Sequence, residues 1–168
     1  GYLPLTFYRC ITKVLRMDYV LKYRLFPDSQ QREQLDWVRD TVRQLYNHAL
    51  HRFNRIPESA GTVNQRVTQV RDEIPDLKDW WTDLNNVYST VLQQAVEQIA
   101  TNIENLGKLK QKGYSVGSLN WKAPHEYRSF TYRQRGFELD EKSGPNGRGL
   151  LTLKKVNGDN IDVPIRLH

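Results

Sequence analysis

The sequence predicts an α+β protein: a small antiparallel β-barrel with a helical lobe of about three helices inserted after the first strand. Three observations predict it. A run of strand formers from Tyr19 to Phe26 ends at Pro27. Helical periodicity then dominates from Asp28 to Lys112. From Gly113 onward that periodicity fades, and short apolar pieces recur between Gly- and Asn-rich clusters. The economical fold joins the early strand to the late ones in a single barrel. A helical domain followed by an independent β domain fits the same pattern, and the pattern alone does not choose.

Residues 1–16 read as a leader, either disordered or read-through. Leu3, Leu5, Phe7, Ile11, Val14 and Leu15 are interrupted there by Arg9, Lys13 and Arg16. No small-residue cleavage site follows, which argues against a signal peptide. Met17 is the only methionine and a candidate start. Residues 17–27 hold the first strand, with imperfect alternation of apolar and polar positions.

Residues 28–112 form the helical lobe. Asp28 reads as an N-cap, with Gln31 placed to reach back in a capping box. Leu35, Val38, Val42, Leu45, Ala49 and Phe53 follow on one helical stripe. Pro57 fixes the end by pushing Ile56 out of helical geometry. Thr62 is the cap of a second helix with Val63, Val67, Val70 and Ile74 on its apolar face, stopped by Pro75. Leu77, Trp80, Trp81 and Leu84 read as an apolar connector. Ser89 is the next cap candidate. Leu92, Val96, Ile99, Ile103 and Leu106 then mark a third helix ending between Lys110 and Gly113.

Residues 113–168 hold a basic loop and the remaining strands: Ser129 to Arg133, Phe137 to Leu139, Leu150 to Lys154 and Ile161 to Leu167. The clusters at 143–147 and 157–160 supply hairpin turn chemistry.

Composition narrows the function. The single cysteine, Cys10, excludes an internal disulfide or a four-cysteine zinc site within the 168 residues. A lone cysteine makes a reducing, cytoplasmic location the default, and no run of 18 apolar residues exists, so no membrane span or membrane partner is expected. The net charge is +6. Residues 1–105 carry 13 basic and 13 acidic side chains, whereas residues 106–168 carry 12 basic and 6 acidic ones. The whole excess lies in the C-terminal part. Such a surface attracts polyanions through Coulomb attraction and counterion release. A solvated basic face kept for solubility is the competing reading.

Enzyme chemistry is poorly represented. His48 and His51 lie three apart on the first helix, with no carboxylate at an obvious third position. No nucleophile elbow, phosphate loop or metalloprotease helix motif occurs. Neither a catalytic residue nor a metal, cofactor or small-molecule substrate is expected in this chain.

Binding chemistry is better represented. Lys108, Lys110 and Lys112 place three ammonium groups around a helix end, where they also complement the helix dipole. Trp121, Lys122, Arg128, Phe130, Tyr132, Arg133 and Arg135 then interleave rings and cations within fifteen residues. On a strand, Arg128, Phe130 and Tyr132 share one face, and Thr131 and Arg133 the other. Guanidinium groups bind phosphates bidentately, and rings stack on unpaired bases. Phe130 is expected in the core. Lys122, Arg128 and Arg133 are expected on phosphates.

Several segments resemble one family. Tyr23-Arg24-Leu25-Phe26-Pro27, followed by a helix with Leu45-Tyr46-Asn47-His48-Ala49-Leu50, resembles the opening of TnpB/OrfB proteins, often labelled helix-turn-helix. Ser89-Thr90-Val91-Leu92-Gln93-Gln94-Ala95 resembles the family's helix with a Leu-Gln-Gln core. Gly113-Tyr114 with Trp121-Lys122 resembles its basic loop, and Tyr127 to Tyr132 its Arg-Ser-Phe-Thr-Tyr stretch. Ile161 to His168 resembles the strand that leads into the nuclease domain. The family comprises transposon-encoded RNA-guided DNA endonucleases, and the likeness is to the archaeal insertion-sequence type. It implies a wedge-like barrel and a recognition lobe that hold a guide RNA from the element end and read a target-adjacent motif in double-stranded DNA. Carried over, Ser89, Gln93, Gln94, Ser129 and Thr131 would contact the DNA motif, with Tyr46 and Asn47 as further candidates. Glutamine amides both donate and accept, which suits adenine edges. The family's three metal-holding acids and four-cysteine zinc motif have no counterpart here. The resemblance therefore implies binding without cleavage by a front part of such a protein. The alternative is a stand-alone helix-turn-helix regulator of duplex DNA, which needs a short recognition helix after a tight turn.

Overall fold

The computed structural model describes the backbone at residues 2–6, 10–14 and 20–167, and side chains at 21–167. Met17 and Tyr19 lie outside the described residues. One antiparallel sheet contains seven strands: β1 (Tyr2–Thr6), β2 (Cys10–Val14), β3 (Val20–Leu25), β4 (Ser129–Arg133), β5 (Phe137–Asp140), β6 (Gly149–Val156) and β7 (Asp159–Leu167). Their order across the sheet is β4-β1-β2-β3-β7-β6-β5. Between β3 and β4 the chain forms α1 (Ser29–Arg55), α2 (Val63–Arg71), α3 (Ile74–Trp80) and α4 (Ser89–Gln111). The helical insertion is as the sequence predicts. Two strands precede it, however, in the segment read as a leader. Cys10-Ile11-Thr12-Lys13-Val14 carries three β-branched residues in five, a composition that suits a pleated strand.

Local rules account for most elements. Asp28 caps α1 by accepting from the Gln31 N–H at 2.7 Å, while Gln31 accepts from the Asp28 N–H at 3.1 Å. The same box forms at Thr62 and Gln65. The α1 stripe of Leu35, Val38, Val42, Leu45 and Ala49 is fully buried. Ile56 turns to extended geometry ahead of Pro57 and ends the helix.

Two local expectations are corrected. Pro75 does not stop α2, which ends at Arg71; it occupies the first turn of α3, where a missing N–H leaves no bond unmade, and Ile74 opens that helix rather than extending the apolar face of α2. The apolar connector is thus a fourth, short helix followed by a 3-10 segment, Thr82–Asn86. Ser89 is not the cap of α4. Tyr88 holds that position without a side-chain bond, and the Ser89 hydroxyl accepts from Lys78 Nζ at 3.4 Å.

The sheet curls without closing. Its two edges, β4 and β5, are joined by only three residues, so their facing ends lie within about 15 Å of each other. No ladder pairs β4 with β5. Gly136 in the link instead accepts from the Lys154 N–H at 3.0 Å, and the Tyr132 hydroxyl donates to the Lys154 carbonyl at 2.9 Å. The inner face carries Tyr23, Leu25, Phe130, Tyr132, Leu151, Leu153, Val163 and Ile165, and these join the stripes of α1 and α4 in one buried cluster. An independent β domain is therefore ruled out: sheet and helices share a core. Each fully buried aliphatic side chain in it contributes roughly 1.5–3 kcal/mol.

Candidate nucleic-acid interface

Behind α4 the chain leaves helical geometry at Gly113, whose φ of 90° favours glycine. It then crosses α1 and enters β4. Asn47 on α1 latches this crossing. Its Oδ1 accepts from the Lys122 N–H at 2.7 Å, and its Nδ2 donates to the Lys122 carbonyl at 2.9 Å. Arg43 donates to the same carbonyl at 3.1 Å while pairing with Asp40 at 2.9 Å. Leu119 and Tyr127 pack partly buried against the core, and the Tyr127 ring lies 5.8 Å from that of Tyr46. The anchored loop presents rings to solvent: Trp121 is 66% exposed and Tyr114 63%. Lys110 and Lys112 are exposed beside them. Among the described residues, Lys110, Lys112, Lys122 and Arg135 form no ion pair.

Other predicted contacts are already engaged within the protein. Arg133 pairs with Glu97 of α4, which also accepts from Arg71 of α2 at 3.0 Å. Burial would raise the Glu97 carboxyl, but the two guanidinium groups outweigh it and hold the group below the usual carboxylate range. Lys108 pairs with Glu104 at 3.3 Å along the exposed surface of α4. Arg128 donates to the His125 carbonyl at 3.3 Å. Tyr46 is buried, and its hydroxyl accepts from Asn102 at 2.9 Å. Asn47 is occupied by Lys122. Tyr46 and Asn47 thus hold the fold and the loop together, which leaves little of either to meet DNA. Arg133 is neutralised for the same kind of reason.

The remaining motif-reading candidates sit on two adjoining elements. On β4, Phe130 and Tyr132 are buried, so Ser129, Thr131 and Arg133 take the other face. The Arg133–Glu97 pair ties the end of β4 to α4, which carries Ser89, Gln93 and Gln94. Ser89 is exposed and both glutamines are half-buried. Gln94 donates to Gln98 at 3.0 Å, Gln98 to Asn102 at 2.9 Å, and Asn102 to Tyr46. This chain of amides leaves the Gln94 carbonyl oxygen at its outer end. Sequence reasoning missed both the chain and Glu97. The four-residue spacing of Gln94, Gln98 and Asn102 was the available signal.

The two helix histidines do not converge on a metal. His48 packs edge-on against Trp80 and Trp81, with ring centroids 6.4 and 6.0 Å away, and burial pushes its pKa down. Among the described residues no three His, Cys, Asp or Glu side chains come together as a metal site. No helix among them is long and apolar enough to cross a membrane.

Neither the curated proteins nor the solved structures give a match to the chain. Residues 17–59 match the model of the OrfB/IS605 helix-turn-helix domain. Over that span the described residues form β3, α1 and the 3-10 turn Glu58–Ala60, which is one long helix rather than two short ones across a tight turn. The match links this quarter of the chain to the N-terminal domain of OrfB/IS605 transposases, and with it to nucleic-acid binding.

Proposed function

We propose that this chain is a polynucleotide-binding module of a transposon-encoded protein, and that it holds structured RNA on the end of α4, the loop at 112–122 and the neighbouring β4. The observation that carries the reading is the latch. Asn47 and Arg43 fix the backbone of Lys122, so a loop with uncompensated lysines and an exposed indole is held in place. A pre-organised cationic loop loses little freedom on binding phosphates, and an exposed Trp adds a stacking surface. The match over 17–59 supports the same direction.

The finer reading makes the RNA a guide from the element end. It makes double-stranded target DNA the second partner, met by Ser89, Gln93, Gln94, Ser129 and Thr131. The chain binds and does not cut. The α4 amide chain supports the DNA contact: aligned along the helix, it orients Gln94 with its carbonyl oxygen left as an acceptor. A stand-alone helix-turn-helix regulator is the weaker reading, because the matched span 17–59 holds one long helix, and the short pair joined by two residues, α2 and α3, lies outside it.

Filter binding of element-end RNA and of random duplex DNA, each titrated with salt, tests the proposal. Tight RNA binding whose affinity falls steeply with salt is expected, as is intact DNA after incubation with magnesium. Preference for palindromic duplex over structured RNA, or binding indifferent to salt, would overturn it.

A further inference from the structure

The outer face of the sheet carries a second set of cations, none of them in the loop just described. Along β3, Tyr23 and Leu25 are buried while Lys22 and Arg24 are exposed. Along β7, Val163 and Ile165 are buried while Arg166 is exposed. The register sets Arg24 directly opposite Arg166. On the far side of β7, Gly149 pairs with Ile165, so Arg148, one residue earlier, continues the row beside Arg166. Three arginines, two on β3 and β7 and one just before β6, therefore form a row across the sheet at the strand spacing of about 4.8 Å.

Phe26 supports the row. Its backbone N–H donates to the Pro164 carbonyl at 2.9 Å. The Arg148 guanidinium sits 3.7 Å from its ring centroid and that of Arg24 5.5 Å away. Among the described residues, no carboxylate pairs with Lys22, Arg24, Arg148 or Arg166. The Glu141 carboxylate, which lines the same hollow as Arg166, accepts from the Tyr23 hydroxyl and forms no ion pair with the row. Like charges directly opposite each other destabilise a sheet. The opposed charges of this row repel one another in the protein alone, and a bound polyanion relieves that repulsion.

We infer that Arg24, Arg148 and Arg166 form a sequence-blind clamp for the phosphate backbone of a polynucleotide. The inference rests on the nucleic-acid reading above but adds a separate site. A row of planar forks matches successive phosphates, each able to accept two parallel N–H bonds. Stacking on Phe26 restrains Arg148 before the ligand arrives. Phe26, the ring within the row, is half-buried against the arginines rather than offered as an apolar anchor.

The test uses the full chain and a labelled single-stranded RNA, with anisotropy followed over a range of salt. Arg24→Gln/Arg166→Gln is compared with Lys122→Gln and with the parent protein. The double variant is expected to flatten the slope of log K against log salt by about 1.4, two phosphate contacts at roughly 0.7 each. Its thermal midpoint without RNA should hold or rise, because the opposed charges are gone. Arg148→Lys keeps the charge but loses the fork. It should weaken binding several-fold with the slope unchanged, a readout that survives if the double variant misfolds. If the parent binds and the double variant keeps its slope, the clamp is overturned while the loop reading stands. If Lys122→Gln is also indistinguishable from a parent that does not bind, both readings fall. A loss seen only with polyglutamate as competitor ligand, and not with RNA, would assign the row to an acidic protein and overturn the clamp.

Discussion

Replacing Glu97 with Gln should destabilise the protein, and the geometry sets the size of the effect. The Glu97 carboxylate accepts from Arg71 at 3.0 Å and from Arg133, and so ties α2, α4 and β4 together. Hydrogen bonds to charged groups contribute about 1.5–3 kcal/mol each when well shielded. These side chains are 29–39% exposed, which screens the pairs toward the 0–1 kcal/mol of surface bridges. Glutamine keeps one acceptor oxygen and removes the charge. A net loss of about 1–2 kcal/mol follows, or roughly 2–8 °C in Tm for a chain of this length. The pH dependence has a definite sign. The folded carboxyl is held below its ordinary value of 4.5. Its contribution is therefore fully present above that value and is lost as pH falls through the depressed folded value. Thermal unfolding by circular dichroism at neutral and acidic pH reads both effects. Equal Tm values at neutral pH, or a gap that persists unchanged in acid, would refute the reasoning.

Three further outcomes can be checked. Asn47→Ala removes both bonds to the Lys122 backbone and should cost about 1–3 kcal/mol; faster trypsin cleavage at Lys122 would report the freed loop, and an unchanged cleavage rate would deny the latch. Gly136→Ala would bring its Cβ to 2.7 Å from the Tyr88 ring and 2.9 Å from the Tyr132 ring, so a loss of about 1–3 kcal/mol in urea unfolding is expected from overpacking. Trp121→Ala should leave Tm unchanged, because the side chain is 66% exposed, yet weaken single-stranded RNA binding by about 1–3 kcal/mol; a fall in Tm would mark the indole as structural instead.

What was legible in the sequence is what neighbouring residues decide. The cap of α1 lies within four residues of its partner, its apolar stripe repeats every three or four, and Pro57 acts on the residue before it. Each could be read in place, and each holds in the structure. The strand β4 shows where such reading stops. Alternation correctly put Phe130 and Tyr132 on one face and Thr131 and Arg133 on the other, but Arg128, expected beside Phe130, lies before the strand and is exposed. It could not say that Glu97, 36 residues away, would meet Arg133. The latch joins Asn47 to Lys122 across 75 residues, and the outer row joins Arg24, Arg148 and Arg166 through strand register alone. Net charge misleads for the same reason. The excess of +6 lies after residue 105, but whether a given cation is available to a phosphate depends on which acid the fold brings beside it. Arg133 belongs to the basic stretch and is neutralised. Arg24 belongs to the balanced stretch and faces another arginine. A count along the chain ranks these two the wrong way round, and only the pairing of strands reverses the order.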